Sequence, residues 1–257
     1  MQAHYQKLVL QFKRPGGTSR GVLHTKETYI LHITQDHKKG TGECGLFRGL
    51  SFDDRPDYEK QLDWLCQNIH LPYPTLQKEL LYYPSIWLGY EQAMLNLQQG
   101  SDLYFPSDFT AEKSSIKING LIWMGNVDFM KEQIAEKLKN NFNCIKLKIG
   151  VDWDSERQIL TQLRKDFPKE QLELRVDANG GFSYEKVKIV LQELAELQIH
   201  SIEQPIKAGN PDQMRDLCAN TPTPIALDEE LIGVLDSAKK KKLLEDIQPQ
   251  YIILKPS

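Results

Sequence analysis

The sequence lacks any long apolar run, and nothing in its 257 residues approaches the ~18 consecutive apolar positions of a membrane-spanning helix. It also lacks a charge excess. Its 35 acidic and 32 basic residues leave a net charge of −3, which gives no electrostatic pull toward nucleic acid or an anionic membrane. Cysteine is sparse. Cys44, Cys66, Cys144 and Cys218 have no CxxC spacing, so reduced thiols in a cytoplasmic protein are expected rather than a disulfide framework. The six histidines are equally dispersed, and that pattern does not suggest zinc. Residues 1–7 contain no apolar h-region or cleavage site, so no secretory signal is expected.

What is present is an ordinary globular composition, 40% hydrophobic and 26% charged. That is enough for one large domain or two smaller ones with a self-sufficient core. Residues 5–12 alternate, with Leu8, Leu10 and Phe12 on one face, and predict a strand. Pro15-Gly16-Gly17-Thr18-Ser19-Arg20-Gly21 reads as a loop. Residues 22–33, rich in Thr, Val, Ile and Tyr, predict a second strand, and a glycine-punctuated stretch around Gly40 and Gly42 leads to Glu43. Helical spacing follows over residues 58–69, and Pro84 opens a helix that Gly100 stops. Residues 1–113 therefore predict an α+β unit.

From residue 114 to residue 257 short apolar strands alternate with amphipathic helices. The strands are expected at 116–123, 144–149, 172–177, 201–203, 225–228 and 251–255, with helices at 127–139 and 184–197 among those between them. That alternation predicts βαβ units and a parallel sheet, giving an α/β fold with a (β/α) barrel of TIM type that stops after its sixth strand. A closed barrel needs two more strands, so the sequence is expected to be a piece of a longer chain. The run Lys239-Lys240-Lys241-Lys242 reads as a solvated helix end.

Successive strands close on Lys148, Asp177, Glu203, Asp228 and Lys255, at steps of 29, 26, 25 and 27 residues. One βα unit of a barrel has about that length, and equivalent strand ends share the rim where barrel active sites are built. Three converging carboxylates need a cation. Oxygen donors without His or Cys favour Mg²⁺ first and Mn²⁺ second. Lys146 and Lys148 lie two apart on one strand and share a face. Neighbouring positive charges are expected to lower a lysine pKa toward neutrality and fit it for work as a base. A metal with such a lysine suits removal of a proton beside a carboxylate. Taken singly, a Lys-x-Lys is a polar strand face, a strand-end Asp is a cap, Asn179-Gly180 is a turn and Glu230 is a helix start. Only the joint occurrence of five matched strand ends points to chemistry.

The segments Ile145-Lys146-Leu147-Lys148-Ile149-Gly150, Arg175-Val176-Asp177-Ala178-Asn179-Gly180, Ile202-Glu203-Gln204-Pro205, Ala226-Leu227-Asp228-Glu229 and Ile253-Leu254-Lys255-Pro256-Ser257 carry a resemblance. The chain resembles the enolase superfamily, in its muconate-lactonizing-enzyme-like branch. The resemblance covers nearly the whole sequence, and residues 1–113 resemble the family's capping domain. It implies Mg²⁺ held by Asp177, Glu203 and Asp228. It implies Lys148 as the base on one face of the substrate, Lys255 as the cation or acid/base on the other, and Lys146 as electrostatic partner of Lys148. The stretches around Thr18-Ser19-Arg20-Gly21 and Gly42-Glu43-Cys44-Gly45 resemble the dehydratase group of menaquinone synthesis, although the usual prolines near Leu46 are absent. The implied reaction is syn dehydration of a cyclohexadiene carboxylate. Implied alternatives are dipeptide epimerisation, N-acylamino-acid racemisation and cycloisomerisation, or a noncatalytic metal-binding remnant. The loop at residues 17–20 reads either as a flap over the site or as a hairpin tip. The expected partner is a small-molecule carboxylate substrate, with no nucleic acid and no membrane, and a homo-oligomer is left open.

Overall fold

A computed structural model of the chain describes residues 1–18, 21–123 and 125–255. The chain divides into two compact units, Met1–Ile116 with Lys255, and Lys117–Leu254. Among the described residues no helix is long and apolar enough to cross a membrane.

In the first unit β1 (Gln2–Thr18), β2 (Gly21–Gln35) and β3 (Lys38–Gly45) form an antiparallel meander in that order. Asp36 and His37, both at positive φ, make the two-residue turn between β2 and β3, the backbone geometry that matches strand twist. Three helices follow, α1 (Tyr58–Asn68), α2 (Tyr73–Glu79) and α3 (Pro84–Gln99). Alternate residues of β2, Tyr29, Leu31 and Ile33, are fully buried and share a core with Leu62, Leu65, Ile86 and Ala93. Glycine lets α3 sit directly on β3. A Cβ at Gly42 would lie 1.9 Å from the Gly89 carbonyl oxygen, and one at Gly40 would lie 2.0 Å from that of Ala93.

The loop expected at residues 15–21 is corrected. After an irregularity between Gln11 and Gly16, pairing resumes with Gly16 opposite Leu23 and Gly17 opposite Val22, so β1 runs to Thr18. Cross-strand hydrogen bonding there overrides the local turn preference of Pro and Gly. Ser19 and Arg20 of the expected flap or hairpin tip lie outside the described residues.

The second unit carries six parallel strands in sequential order: β4 (Gly120–Ile122), β5 (Cys144–Lys148), β6 (Glu173–Asp177), β7 (Ser201–Glu203), β8 (Ile225–Leu227) and β9 (Tyr251–Ile252). Five helices alternate with them, α4 (Val127–Lys139), α5 (Trp153–Asp166), α6 (Tyr184–Glu196), α7 (Pro211–Asn220) and α8 (Ser237–Ile247). Asn126, Asp152, Ser183 and Asp236 cap four of these helices by accepting from a backbone N–H of the first turn. Ile145, Leu147, Leu174, Val176 and Ile202 pack with Val187, Val190, Leu191 and Leu217 in one core. The sheet is of the (β/α)-barrel kind but is not closed, since β4 and β9 each pair on one side only among the described residues.

Three strands, β5, β6 and β8, are one residue shorter than expected, and two are much shorter. The stretch 116–123 contributes only Gly120–Ile122, and 251–255 contributes only Tyr251–Ile252. A parallel strand extends only as far as its neighbour offers partners, and among the described residues β4 and β9 have one neighbour each. The lysine run lies within the first turns of α8 rather than at its end. There it forms i,i+4 pairs of Lys241 with Glu245 and Lys242 with Asp246.

Two predictions follow from this packing. Gly42→Ala forces a methyl into the α3 backbone and should destabilise the first unit by about 1–3 kcal/mol, read as a lower denaturation midpoint. Glu173 lies 3.1 Å from Lys117 and 2.6 Å from Arg175. Burial pushes its carboxyl upward, but those two cations outweigh burial and bring it down to about 2, from an ordinary 4.5. A depressed carboxyl stabilises the fold above its unfolded pKa, and the contribution disappears as pH falls through the folded value. Glu173→Gln should therefore melt below wild type at neutral pH, and the gap should close between about pH 4.5 and pH 2 in thermal scans. A gap unchanged across that range would show that the ion pairs contribute nothing.

Candidate active site

Parallel pairing sets the row. Lys148 stands opposite Asp177, and Asp177 opposite Glu203, with no offset. Strand alternation then puts Lys146 and Lys148 on the face that carries Asp177 and Glu203, while Leu147 and Val176 turn into the core. Asp228 is the first residue past β8, and its backbone N–H donates to Gln204 Oε1 at 3.2 Å. All three acids are buried, at 3%, 5% and 2% exposure for Asp177, Glu203 and Asp228.

The ammonium groups sit among these acids. Lys146 Nζ donates to Glu203 Oε2 and lies 3.4 Å from Asp177 Oδ2. Lys148 Nζ donates to Asp177 Oδ2 at 3.0 Å and to Asn179 Oδ1 at 2.6 Å, and it stands 6.0 Å from the centre of the Trp123 ring. Gln133 clamps the Trp123 backbone, accepting from its N–H and donating to its carbonyl.

The charges shift one another. Burial pushes the Asp177 carboxyl upward, but Lys146 and Lys148 beside it prevail and hold it below the usual range. Burial, joined by the charge of Asp177, pushes Glu203 up to about 7, with Lys146 opposing. Burial would lower Lys146, yet Asp177 and Glu203 outweigh it and raise it. For Lys146 this corrects the expected lowering. For Lys146 the nearest charges are carboxylates, and they tighten its hold on the proton.

Among the described residues no three His, Cys, Asp or Glu side chains are gathered closely enough to hold a metal ion. Lys146 instead bridges two of the three expected ligands. The donor set still fits a hard divalent cation. It is all oxygen and buried, and burial together with the charge of Asp177 and Asp228 pushes the Glu203 carboxyl up to about 7, a shift that added positive charge opposes.

Lys255 lies three residues beyond β9, is exposed, and groups with the first unit, so it does not close a strand as expected. Sequence reasoning gave no site role to three neighbours of the row. Asn179 does turn the chain with Gly180, at φ 44° and 74°, but its side chain also receives Lys148. Gln204 is fully buried at φ 38° and accepts from the backbone N–H groups of Asp228 and Glu230. Glu229 accepts from Asn179 Nδ2 at 3.0 Å. Their one sequence signal is adjacency to Asp177, Glu203 and Asp228. Glu230 has the structural part expected of it, within the 3-10 turn Glu229–Leu231.

Residues 129–243 match the family described as Enolase C-terminal domain-like. Over its full length the chain is 40% identical to o-succinylbenzoate synthase of Desulfotalea psychrophila and spans 78% of that protein. It is 28% identical, over 83% of its length and 63% of the relative's, to L-Ala-D/L-Glu epimerase of Francisella tularensis subsp. novicida. The crystal structure of MenC from Desulfotalea psychrophila matches with a TM-score of 0.85 at 35% identity, covering 100% of this chain and 78% of that one. The o-succinylbenzoate synthase of Thermosynechococcus elongatus, solved with Mg in its active site, matches at 0.78 and 19% identity, covering 100% and 76%. At that identity the likeness concerns the fold.

Proposed function

The chain belongs to the enolase superfamily, within its o-succinylbenzoate synthase group, and is a lyase; from that premise we propose that it dehydrates a hydroxylated cyclohexadiene carboxylate to o-succinylbenzoate in menaquinone synthesis. The observation that carries this reading is the unbroken row of Lys148, Asp177 and Glu203 on adjacent strands, with Lys146 touching both acids.

In this reading Asp177, Glu203 and Asp228 hold Mg²⁺, with Mn²⁺ as substitute. The ion supplies positive charge against the negative charge that builds on the substrate carboxylate when its α-proton leaves. Lys148 Nζ takes that α-proton. The same ammonium then delivers the proton to the departing hydroxyl on the same face, so one C–H and one C–O bond break, a ring double bond forms and water leaves. Lys146 keeps its proton between Asp177 and Glu203 and holds the two carboxylates in place. Lys255 is assigned the second amine from its sequence position alone. The reading also makes the protein a cytoplasmic enzyme acting on a small carboxylate. Dipeptide epimerisation is the second reading, favoured by the 28% identity to an L-Ala-D/L-Glu epimerase.

The deciding experiment incubates the protein and Mg²⁺ with the cyclohexadiene carboxylate, and separately with an L-Ala-L-Glu panel in deuterated buffer. Formation of o-succinylbenzoate that EDTA abolishes is expected. Deuterium entry into dipeptides without dehydration would favour the epimerase. Lys148→Ala should cut turnover by about 10³-fold while calorimetry shows Mg²⁺ binding retained; substantial residual turnover would remove Lys148 as base. Asp177→Asn and Glu203→Gln should each weaken Mg²⁺ binding by roughly 10–100-fold, and wild-type titration curves would refute the ligand assignment.

A further inference from the structure

Three glutamates of the second unit follow its strand ends, and the contacts of their oxygens differ. Glu156 Oε2 accepts from the backbone N–H of Gly150 at 2.7 Å, and its Oε1 accepts from those of Val151 and Asp152, both at 3.1 Å. Glu230 Oε1 accepts from Gly209 N–H at 3.1 Å and its Oε2 from Gln204 Nε2 at 3.3 Å. Both staple loops, and both have each oxygen engaged. In Glu229 one oxygen, Oε1, accepts from Asn179 Nδ2 at 3.0 Å, while Oε2 is buried and has no hydrogen-bond partner among the described residues. A buried carboxylate oxygen without a donor is costly, so a purely structural part, like that of Glu156 or Glu230, does not account for Glu229.

The contact that Glu229 does make leads directly to Lys148. An ammonium can only donate and a carboxylate can only accept. The Asn179 amide stands between one of each, its carbonyl oxygen receiving Lys148 Nζ at 2.6 Å and its amino group donating to Glu229. The polarity of the chain is thereby fixed in one sense. Turning the amide over would point its N–H groups at the ammonium and its oxygen at the carboxylate, so both contacts become repulsive. Asn179 is also tied through its backbone N–H to Asp177 Oδ1 at 3.1 Å.

We infer that Glu229 is a positioning residue for Lys148, acting through the side-chain amide of Asn179: it holds the amide with its oxygen toward the ammonium and so fixes where Nζ stands. The inference deepens the proposed function and rests on it for the identity of the base. Without Glu229 the amide keeps only its contact with the ammonium and loses its second anchor, so Asn179 and Nζ move together and Nζ samples positions away from the row. Because geometry in the reaction is lost rather than a binding contact, the loss falls on kcat.

The test compares wild type, Glu229→Ala and Glu229→Gln by three measurements. The first is steady-state dehydration. The second is Mg²⁺ titration by calorimetry without substrate. The third is a lysine-selective ¹⁵Nζ correlation spectrum, with the Lys148 signal assigned by Lys148→Arg. Glu229→Ala should lower kcat about 10-fold or more, with KM and Mg²⁺ affinity within about threefold of wild type, and should lose the slowly exchanging Lys148 signal. Glu229→Gln still offers an oxygen to Asn179 Nδ2, so it should retain the signal and at least about a third of kcat. An unchanged Lys148 signal in Glu229→Ala would overturn the inference. So would equal damage in both variants, which would make charge rather than acceptance the operative property. A large loss of Mg²⁺ affinity in Glu229→Ala would overturn it too, making Oε2 a metal ligand. If wild type dehydrates nothing, the proposed function fails, and the spectrum still decides whether Glu229 fixes Lys148.

Discussion

Burying three carboxylates at one end of a parallel sheet is the constraint on which the second unit depends. Asp177, Glu203 and Asp228 are almost without exposure, and like charges in so small a space are tolerated only with cations among them. Lys146 meets that need for Asp177 and Glu203, and Lys148 meets it for Asp177. The residual imbalance is visible at Glu203, which is pushed up to about 7 by its burial and by the neighbouring acids. An arrangement of this kind has a standing affinity for further positive charge.

Around this row the structure places groups that aim the charged ones. Gln204, at the end of β7, spans to the next strand and receives the backbone N–H groups of Asp228 and Glu230 on a single amide oxygen. Glu156 gathers the three backbone N–H groups that follow Lys148 and so fixes the exit of β5. Gln133 holds the backbone of Trp123, whose ring stands near the Lys148 ammonium. These residues carry no reaction themselves. They fix the backbone and side chains beside the charged row, which is how a rim built from short strands attains fixed geometry.

Much of this was legible beforehand. Helix α4 spans the residues 127–139 expected of it, and Pro84 and Gly100 bracket α3 as their chemistry requires. The near-constant spacing of Lys148, Asp177, Glu203 and Asp228 carried the parallel register, because each βα unit consumes a similar length of chain. The strand limits at 120–122 and 251–252 were not legible, since pairing depends on a neighbour as well as on propensity. The same holds for residues 16–18, where a partner strand turns a turn-like sequence into strand.

The sequence by itself determined the order of elements, the alternation that sets Lys146 and Lys148 on one face, and the charged ends of β5, β6 and β7. These follow from local periodicity and from residue type, which need no knowledge of distant partners. Only the tertiary structure decided that Lys146 is drawn toward acids rather than repelled by Lys148. The same is true of the polar chain from Lys148 through Asn179 to Glu229, and of Gln204 spanning two strands. Electrostatic sign and hydrogen-bond polarity depend on which groups come within a few ångströms, and chain-distant neighbours are set by packing alone.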